Sequence, residues 1–378
     1  SWAASTSCSE TWTDDGEVAS RQSPVASPKR GVLRTWGAPM ITGWFWVDLL
    51  IKVVLVLAVM IGLALVAIYA ELKVMAHMQN RIGPYYAGGR WGWAQPFADA
   101  LKFIQKEDLV PAGADSLVFK SAPYIVVAST VATFVVIPFS PSLVARNLDL
   151  GVYFLLAISS LTTLGVLMAG WASANKYSLI GGLRAAAQLI AYELPLVLAV
   201  VAVVIQAGTM SLNGIVEAQA DTWFTVAGFE VSLPYLIRGQ ILGFAIFMIA
   251  AVAELSRIPF DMPIAESELT MGYLTEYSGI RFTMFFLGEY ASMIGLSAIA
   301  ATLYLGGYSA PGLSGVLANL AGPGVLGLKI ALLVFVIIWI RWTWPRLRED
   351  QLQTIAWTWL IPLALLNIAL VSIFKVVF

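Results

Sequence analysis

From residue 44 onward the chain alternates long apolar runs with short charged segments. The runs fall at Trp44–Ala70, Ser121–Ser140, Gly151–Trp171, Ala185–Gln206, Leu236–Glu254, Ile280–Leu305, Val325–Ile340 and Thr354–Phe374. Each is near the roughly 20 residues that a helix needs to cross the hydrocarbon core of a bilayer. Backbone groups in hydrocarbon must bond within their own segment, so spans of this length are helices. The pattern predicts an all-α integral membrane protein of about eight transmembrane helices, with both chain ends on one side. Residues 1–43 break the pattern. They are rich in Ser, Thr and Pro and lack a long apolar run, so a polar, disordered extension is expected there. Residues 44–378 form the polytopic membrane domain.

One polar stretch carries its own period. In Gln95–Lys106, Phe97, Leu101 and Ile104 recur at helical spacing, and Asp99, Lys102 and Lys106 fall on another face. This predicts an amphipathic helix lying in the membrane interface, within the first loop. The turn Arg81-Ile-Gly-Pro84 just before it reverses the chain.

The loop charges add orientation. Lys73, Arg81, Arg90, Lys102, Lys106 and Lys120 lie in the first loop, Lys176 and Arg184 in the third, Arg257 and Arg281 in the fifth, and Arg346 and Arg348 in the seventh. The even loops are poor in basic residues, so the odd ones are expected on the cytoplasmic side. Composition agrees with a membrane body: 59% of residues are hydrophobic, 12% are charged, and mean hydropathy is +0.80. A net charge of −1 gives no basis for nucleic-acid binding. The one cysteine, Cys8, and one histidine, His77, cannot hold an iron–sulfur cluster or a structural zinc, so any redox metal belongs to another chain.

Candidate chemistry lies in the acids. Glu193 and Glu289 sit within apolar runs, and Glu71 and Glu254 close the first and fifth runs on the same side. Asp261, Glu266, Glu268 and Glu276 populate the loop between Arg257 and Arg281. Ionisable groups inside a membrane are costly and mark proton or ion pathways, so these acids are expected to carry protons. Arg184, Gln188 and Tyr192 follow at i, i+4 and i+8 beside Glu193, as a polar stripe able to hold water or to bond across helices. Lys52 and Lys329 lie near helix ends and are expected to reach the headgroups.

The stretch AELSRIPFDMPIAESELTMGYLTEYSGIRFTMFFLGEY (Ala253–Tyr290) closely resembles the signature of the H-subunit family of proton-pumping NADH–quinone oxidoreductases, the respiratory complex I. ELKVMAHMQNRIGP (Glu71–Pro84), GGLRAAAQLIAYELP (Gly181–Pro195) and RWTWPRLREDQL (Arg341–Leu352) resemble it too, in the same order. The resemblance implies a subunit that anchors the peripheral electron-transfer arm, helps to form a quinone chamber entered from the lipid, and couples quinone reduction to proton translocation. It implies quinone as substrate and no cofactor on this chain, with FMN and iron–sulfur clusters on partners. Those partners would be the peripheral iron–sulfur and quinone-site subunits, small membrane subunits and antiporter-like subunits.

By the matching motifs, Glu193, Glu289, Glu254, Asp261, Glu266, Glu268 and Glu276 resemble the coupling path. Glu71, Lys73, Met75, Gln79, Arg81, Gly83, Pro84, Arg257 and Phe260 resemble parts of the quinone chamber. Two positions depart from the family: Leu72 replaces an Arg, and Ile264 replaces a Glu in the acidic loop, where it is expected to face the chamber. The expected location is a bacterial inner membrane, an organellar energy-coupling membrane being the alternative. A membrane subunit of a hydrogenase, or of a ferredoxin- or deazaflavin-linked oxidoreductase, is the alternative function. A secondary transporter is disfavoured because no internal repeat is evident.

Overall fold

The computed structural model describes residues 45–221, 224–226, 229–231, 233–310 and 315–377. The polar extension expected at 1–43 lies outside the described residues.

Helix α1 (Phe45–Met78) runs two turns beyond its apolar run and ends in the charged segment that holds Glu71 and Lys73. A short α2 (Gln95–Gln105) follows, then α3 (Ser116–Val136), α4 (Gly151–Ala172), α5 (Lys176–Ala207) and α6 (Leu212–Ala220). A two-stranded antiparallel ribbon, β1 (Phe224–Val226) and β2 (Phe229–Val231), leads to α7 (Ile241–Glu254). The acidic loop contains one turn, α8 (Glu266–Leu269), before α9 (Gly279–Tyr304). The chain ends with α10 (Gly315–Thr343), α11 (Glu349–Thr354) and α12 (Ile361–Val377), the last two joined by a π-helical turn at Ile355–Leu360.

Among the described residues seven helices are long and apolar enough to cross a membrane, and α7 is a shorter apolar helix. The protein is a multi-pass membrane protein. The expected fifth run, Leu236–Glu254, loses its first turn because Leu236–Gln240 folds back on Pro234 and Tyr235 through backbone bonds. At 14 residues, α7 is about 21 Å long, short of the hydrocarbon thickness. It is buried within the bundle, where Ile246, Phe247, Ala250 and Ala251 meet α5 and α9.

Local chemistry sets the helix ends. Asp115 caps α3 by accepting from the Leu117 N–H, and Asn175 caps α5 by accepting from the Tyr177 N–H at 2.9 Å. Gly208 ends α5 in the left-handed conformation that favours glycine. Cations close other ends. Lys329 does not reach for headgroups: its ammonium donates to the carbonyls of Leu305, Gly307 and Ser309 at 2.7, 2.7 and 2.8 Å, covering the C-terminus of α9. Lys52 pairs with Asp48 one turn earlier at 2.8 Å.

Close packing depends on small residues. Gly170 of α4 faces Gly182 of α5 so tightly that a Cβ on Gly170 would lie 2.8 Å from the Gly182 Cα. Gly272 combines positive φ with a Pro263 carbonyl that leaves no room for any side chain, which fixes the acidic loop against α5. Helix α2 places Phe97, Leu101 and Ile104 on an exposed face, while Phe103 packs on Phe282 of α9 at 5.5 Å. The exposed face is the one that the sequence period defines.

Candidate functional site

Arg257, which follows α7, is the largest fully buried side chain among the described residues. A guanidinium stays charged in a protein interior and needs acceptors there. Two helices bring them. Nη1 donates to Glu71 Oε2 of α1 at 2.8 Å, and Nη2 lies 3.0 Å from Glu289 Oε1 of α9. The first contact is a well-directed hydrogen bond, whereas at Nη2 only the distance marks an ion pair, because no N–H points along it. Arg341, at the end of α10, donates to the other oxygen of Glu71. The Tyr290 ring lies under the Arg257 guanidinium at 4.5 Å, a cation–π contact. Two arginines and two carboxylates thus form one chain, Arg341–Glu71–Arg257–Glu289, with no net charge.

The stretch after α1 builds a different feature. Lys73 donates to the Pro84 carbonyl at 2.6 Å and ties the turn back onto the helix. Next to it lies an open pocket of about 600 Å³, lined by Leu72, Met75, Arg81, Gly83, Pro84 and Tyr86, among others. Met75, Arg81, Gly83 and Pro84 therefore share one pocket. Gln79 is exposed and accepts from Arg81 Nε at 2.7 Å. Glu71, Arg257 and Phe260 lie outside the pocket: the first two are in the buried chain, and Phe260 is buried edge-on against Tyr192 at 5.2 Å. The residues that resemble a chamber thus divide into a surface pocket and a buried ionic link. Leu72 gives the pocket an apolar wall.

The polar stripe on α5 resolves into bonds across helices. Arg184 pairs with Glu268 at 2.8 Å, and Gln188 donates to the carbonyls of Ala253 and Phe260 at 2.7 and 2.8 Å. The Tyr192 hydroxyl donates to the Leu352 carbonyl at 2.9 Å. Gln188 thereby holds both ends of the segment that carries Arg257. Glu193 is half-buried, about 26 Å along the axis from Lys176, because α5 begins well before the apolar run. Its carboxylate is close enough to Glu254 for the two to interact electrostatically.

The loop acids point to separate places. Asp261 pairs with Arg346 at 2.8 Å, Glu276 accepts from Asn175 Nδ2 at 2.6 Å, and Glu266 is exposed. Burial pushes the Asp261 carboxyl above the ordinary aspartate range, and the Arg346 guanidinium opposes that rise. Ile264 does not face a polar chamber. It packs against the apolar cluster of Phe119, Leu274, Tyr277 and Phe285.

Inside the bundle, Glu254 and Glu289 border a common cavity of about 100 Å³ between α3, α4, α5, α7 and α9. Its wall includes Ser129, Thr130, Thr162 and Ser292, which the sequence reading did not single out. The available signal was the recurrence of Ser or Thr at 129, 130 and 133 and at 159, 162 and 163, one face of each helix. Among the described residues no group of three or more His, Cys, Asp or Glu is placed to hold a metal ion.

Residues 51–372 match a family model described as NADH dehydrogenase. The chain is 46% identical over 327 residues to the NADH-quinone oxidoreductase H subunit of Bacillus mycoides strain KBAB4, covering 86% of this chain and 93% of that one. Identity is 45%, with the same coverage, to the proteins of that name from Bacillus thuringiensis strain Al Hakam and Bacillus anthracis strain A0248.

Proposed function

This chain belongs to the NADH dehydrogenase family, and we propose that it is the H subunit of a proton-pumping NADH–quinone oxidoreductase in a bacterial cell membrane. In this reading it anchors the peripheral arm through its charged loops, forms part of the quinone chamber, and passes the effect of quinone reduction to proton-carrying acids. The pocket at Leu72–Tyr86 borders the chamber. FMN belongs to a partner subunit, as the family resemblance implies, and iron–sulfur clusters do too, since one cysteine cannot supply the several thiolates that a cluster needs.

The observation that carries the reading is the buried chain Arg341–Glu71–Arg257–Glu289. Its Glu71 stands on α1, the helix that walls the pocket, and the chain ends at a carboxylate bordering the internal cavity. A charge change at the pocket alters how strongly Arg257 is held by Glu71, and hence how much of its field acts on Glu289. In low dielectric such a change is weakly screened. A titratable carboxylate in that position can respond by taking up or releasing a proton.

The test uses the assembled complex in liposomes with Glu289→Gln, which keeps shape and removes the charge. Assembly is expected to persist while quinone reduction and proton pumping fall together. Full pumping by the variant would reduce Glu289 to a structural hydrogen bonder. Co-purification with a flavin- and NADH-binding partner separates this reading from the hydrogenase-type alternative.

A further inference from the structure

The C-terminus of α9 lies beside the middle of α10, where Lys329 stands about 21 Å from either end of its helix. A helix C-terminus leaves four carbonyls without intrahelical partners, and where water is scarce each needs a donor. Several elements supply them. Gln219 of α6 donates to the Thr302 carbonyl at 2.9 Å, and the Leu236 N–H donates to the Tyr304 carbonyl at 3.0 Å. The Ala301 carbonyl accepts from the N–H groups of Leu305 and Gly307 at 3.0 and 2.8 Å. The carbonyls of Leu305, Gly307 and Ser309 then converge on one point, the Lys329 ammonium, at 2.7, 2.7 and 2.8 Å.

The turn at 305–309 is shaped by its own backbone. Gly306 and Gly307 both have positive φ, +78° and +52°, a conformation open to glycine that lets alternate carbonyls face the same side. The Gly307 N–H bond to Ala301 and a Ser309 N–H bond to the Gly306 carbonyl at 2.9 Å hold the turn without using Lys329. Val216 presses on it from α6: a Cβ on Gly307 would lie 2.7 Å from the Val216 Cγ2. The three carbonyls are therefore set in place before the side chain reaches them.

What fills this cage must be a cation. An ammonium has three N–H donors and no acceptor, and all three are used here. A neutral amine has two N–H groups and a lone pair, which would face a carbonyl oxygen. Backbone carbonyls replace the hydration shell of monovalent ions such as K⁺. Calcium and magnesium sites are built on carboxylates, and none of these three ligands is one.

The structure assigns to the turn at 305–309 a monovalent-cation site made of backbone carbonyls, filled by the tethered ammonium of Lys329, which locks the end of α9 to the middle of α10. Its ligand class is a primary ammonium, with a potassium-sized ion as the weaker substitute because it makes no directed bonds. The assignment does not depend on the quinone or proton reading, and full pumping by Glu289→Gln would leave it intact.

Chemical rescue of the assembled complex in detergent tests it. Lys329→Ala is expected to lower the melting temperature by several degrees. n-Propylammonium chloride supplies the Cγ, Cδ, Cε and Nζ that this substitution removes, and it is expected to restore most of the loss. Ammonium and potassium chloride are expected to restore less. Tetramethylammonium chloride, which has no N–H, is expected to restore none. Lys329→Met fills the stem without the charge, so it should be destabilised and respond to none of these salts. A Met variant as stable as the parent would overturn the proposal. So would an Ala variant that propylammonium leaves unstable, or one that tetramethylammonium rescues equally, since that effect is ionic strength alone. Where Lys329→Ala does not assemble, a cryo-electron microscopy map of the parent complex decides. Density joining the Lys329 ammonium to the three carbonyls supports the site, and a Lys329 side chain directed to lipid headgroups sinks it.

Discussion

Arg257 and Glu289 meet at 3.0 Å, guanidinium to carboxylate, and so join the segment after α7 to the middle of α9. The same guanidinium holds Glu71 on α1, so one side chain fixes the relative position of three elements. Charge acts on both carboxylates, while a directed hydrogen bond is made to Glu71.

Arg257→Gln should leave Glu71 and Glu289 without their shared cation in a buried setting. Breaking a buried pair from one side costs about 3–5 kcal/mol, mostly through the charge left behind. The expected result is a steep loss of assembled complex, measured as yield and melting temperature in detergent. Arg257→Lys keeps the charge but offers a point donor in place of a planar fork, so it should fall between parent and Gln. Equal stability of Lys and parent would mean that only one of the two carboxylates matters.

Quinone contact should follow the pocket rather than the whole set of chamber-like residues. A photoreactive quinone analogue is expected to label Leu72, Met75 or the turn at 81–86, and to leave Phe260 unlabelled because Phe260 is buried against Tyr192. Leu72→Arg would put a solvated charge into the apolar wall and should weaken labelling by a hydrophobic tail. Labelling centred on Phe260 would place the chamber on the other side of Arg257.

Asp261 should titrate above the ordinary aspartate range, because burial outweighs the Arg346 guanidinium. The folded state then holds its proton more tightly than the unfolded chain does. Stability from this group is therefore present at low pH and lost as pH rises from the unfolded value through the folded one. Difference infrared spectra of parent and Asp261→Asn complexes should reveal a protonated carboxyl band that disappears on raising pH across that window and is missing from the variant. A band that titrates at or below the ordinary aspartate range would show that Arg346 prevails.

Much of this was legible in the chain itself. Spans of hydrocarbon length can only be helices, and the i, i+4, i+7 recurrence of Phe97, Leu101 and Ile104 defines the exposed face of α2. The acids at 71, 254 and 289 were visible as charges within or beside apolar runs. Their partners were not. Arg257 and Glu71 are 186 positions apart, and Arg341 and Glu71 are 270 apart, so no local period links them. The loop acids looked like one path because they are close in sequence. In space Asp261 turns to Arg346, Glu268 to Arg184 and Glu276 to Asn175. The shortness of α7 followed from a turn at Leu236–Gln240 that hydropathy does not register.

Ile264 gives the last test, because its setting reverses the expectation from its polar neighbours. Asp261 and Glu266 flank it in sequence, yet its side chain joins the cluster of Phe119, Leu274, Tyr277 and Phe285. That cluster is tightly organised: the Phe119 and Tyr277 rings stack at 4.1 Å, and the Tyr277 hydroxyl donates to the Phe119 carbonyl. It holds the acidic loop to α3 and α9, so damage there should spread to the Asp261 and Glu276 contacts. Ile264→Glu would place a carboxylate against aromatic rings, at a cost of several kcal/mol unless it stays protonated or turns out to solvent. Ile264→Val removes one methylene and should cost about 0.5–1.5 kcal/mol. The expected order of assembled complex, read by yield and melting temperature, is parent, Val, then Glu well below both. Should the Glu variant assemble at the parent level and shift the pH profile of quinone reduction, the side chain at 264 must reach a polar chamber, and the packing of this loop against Phe119 would have to be revised.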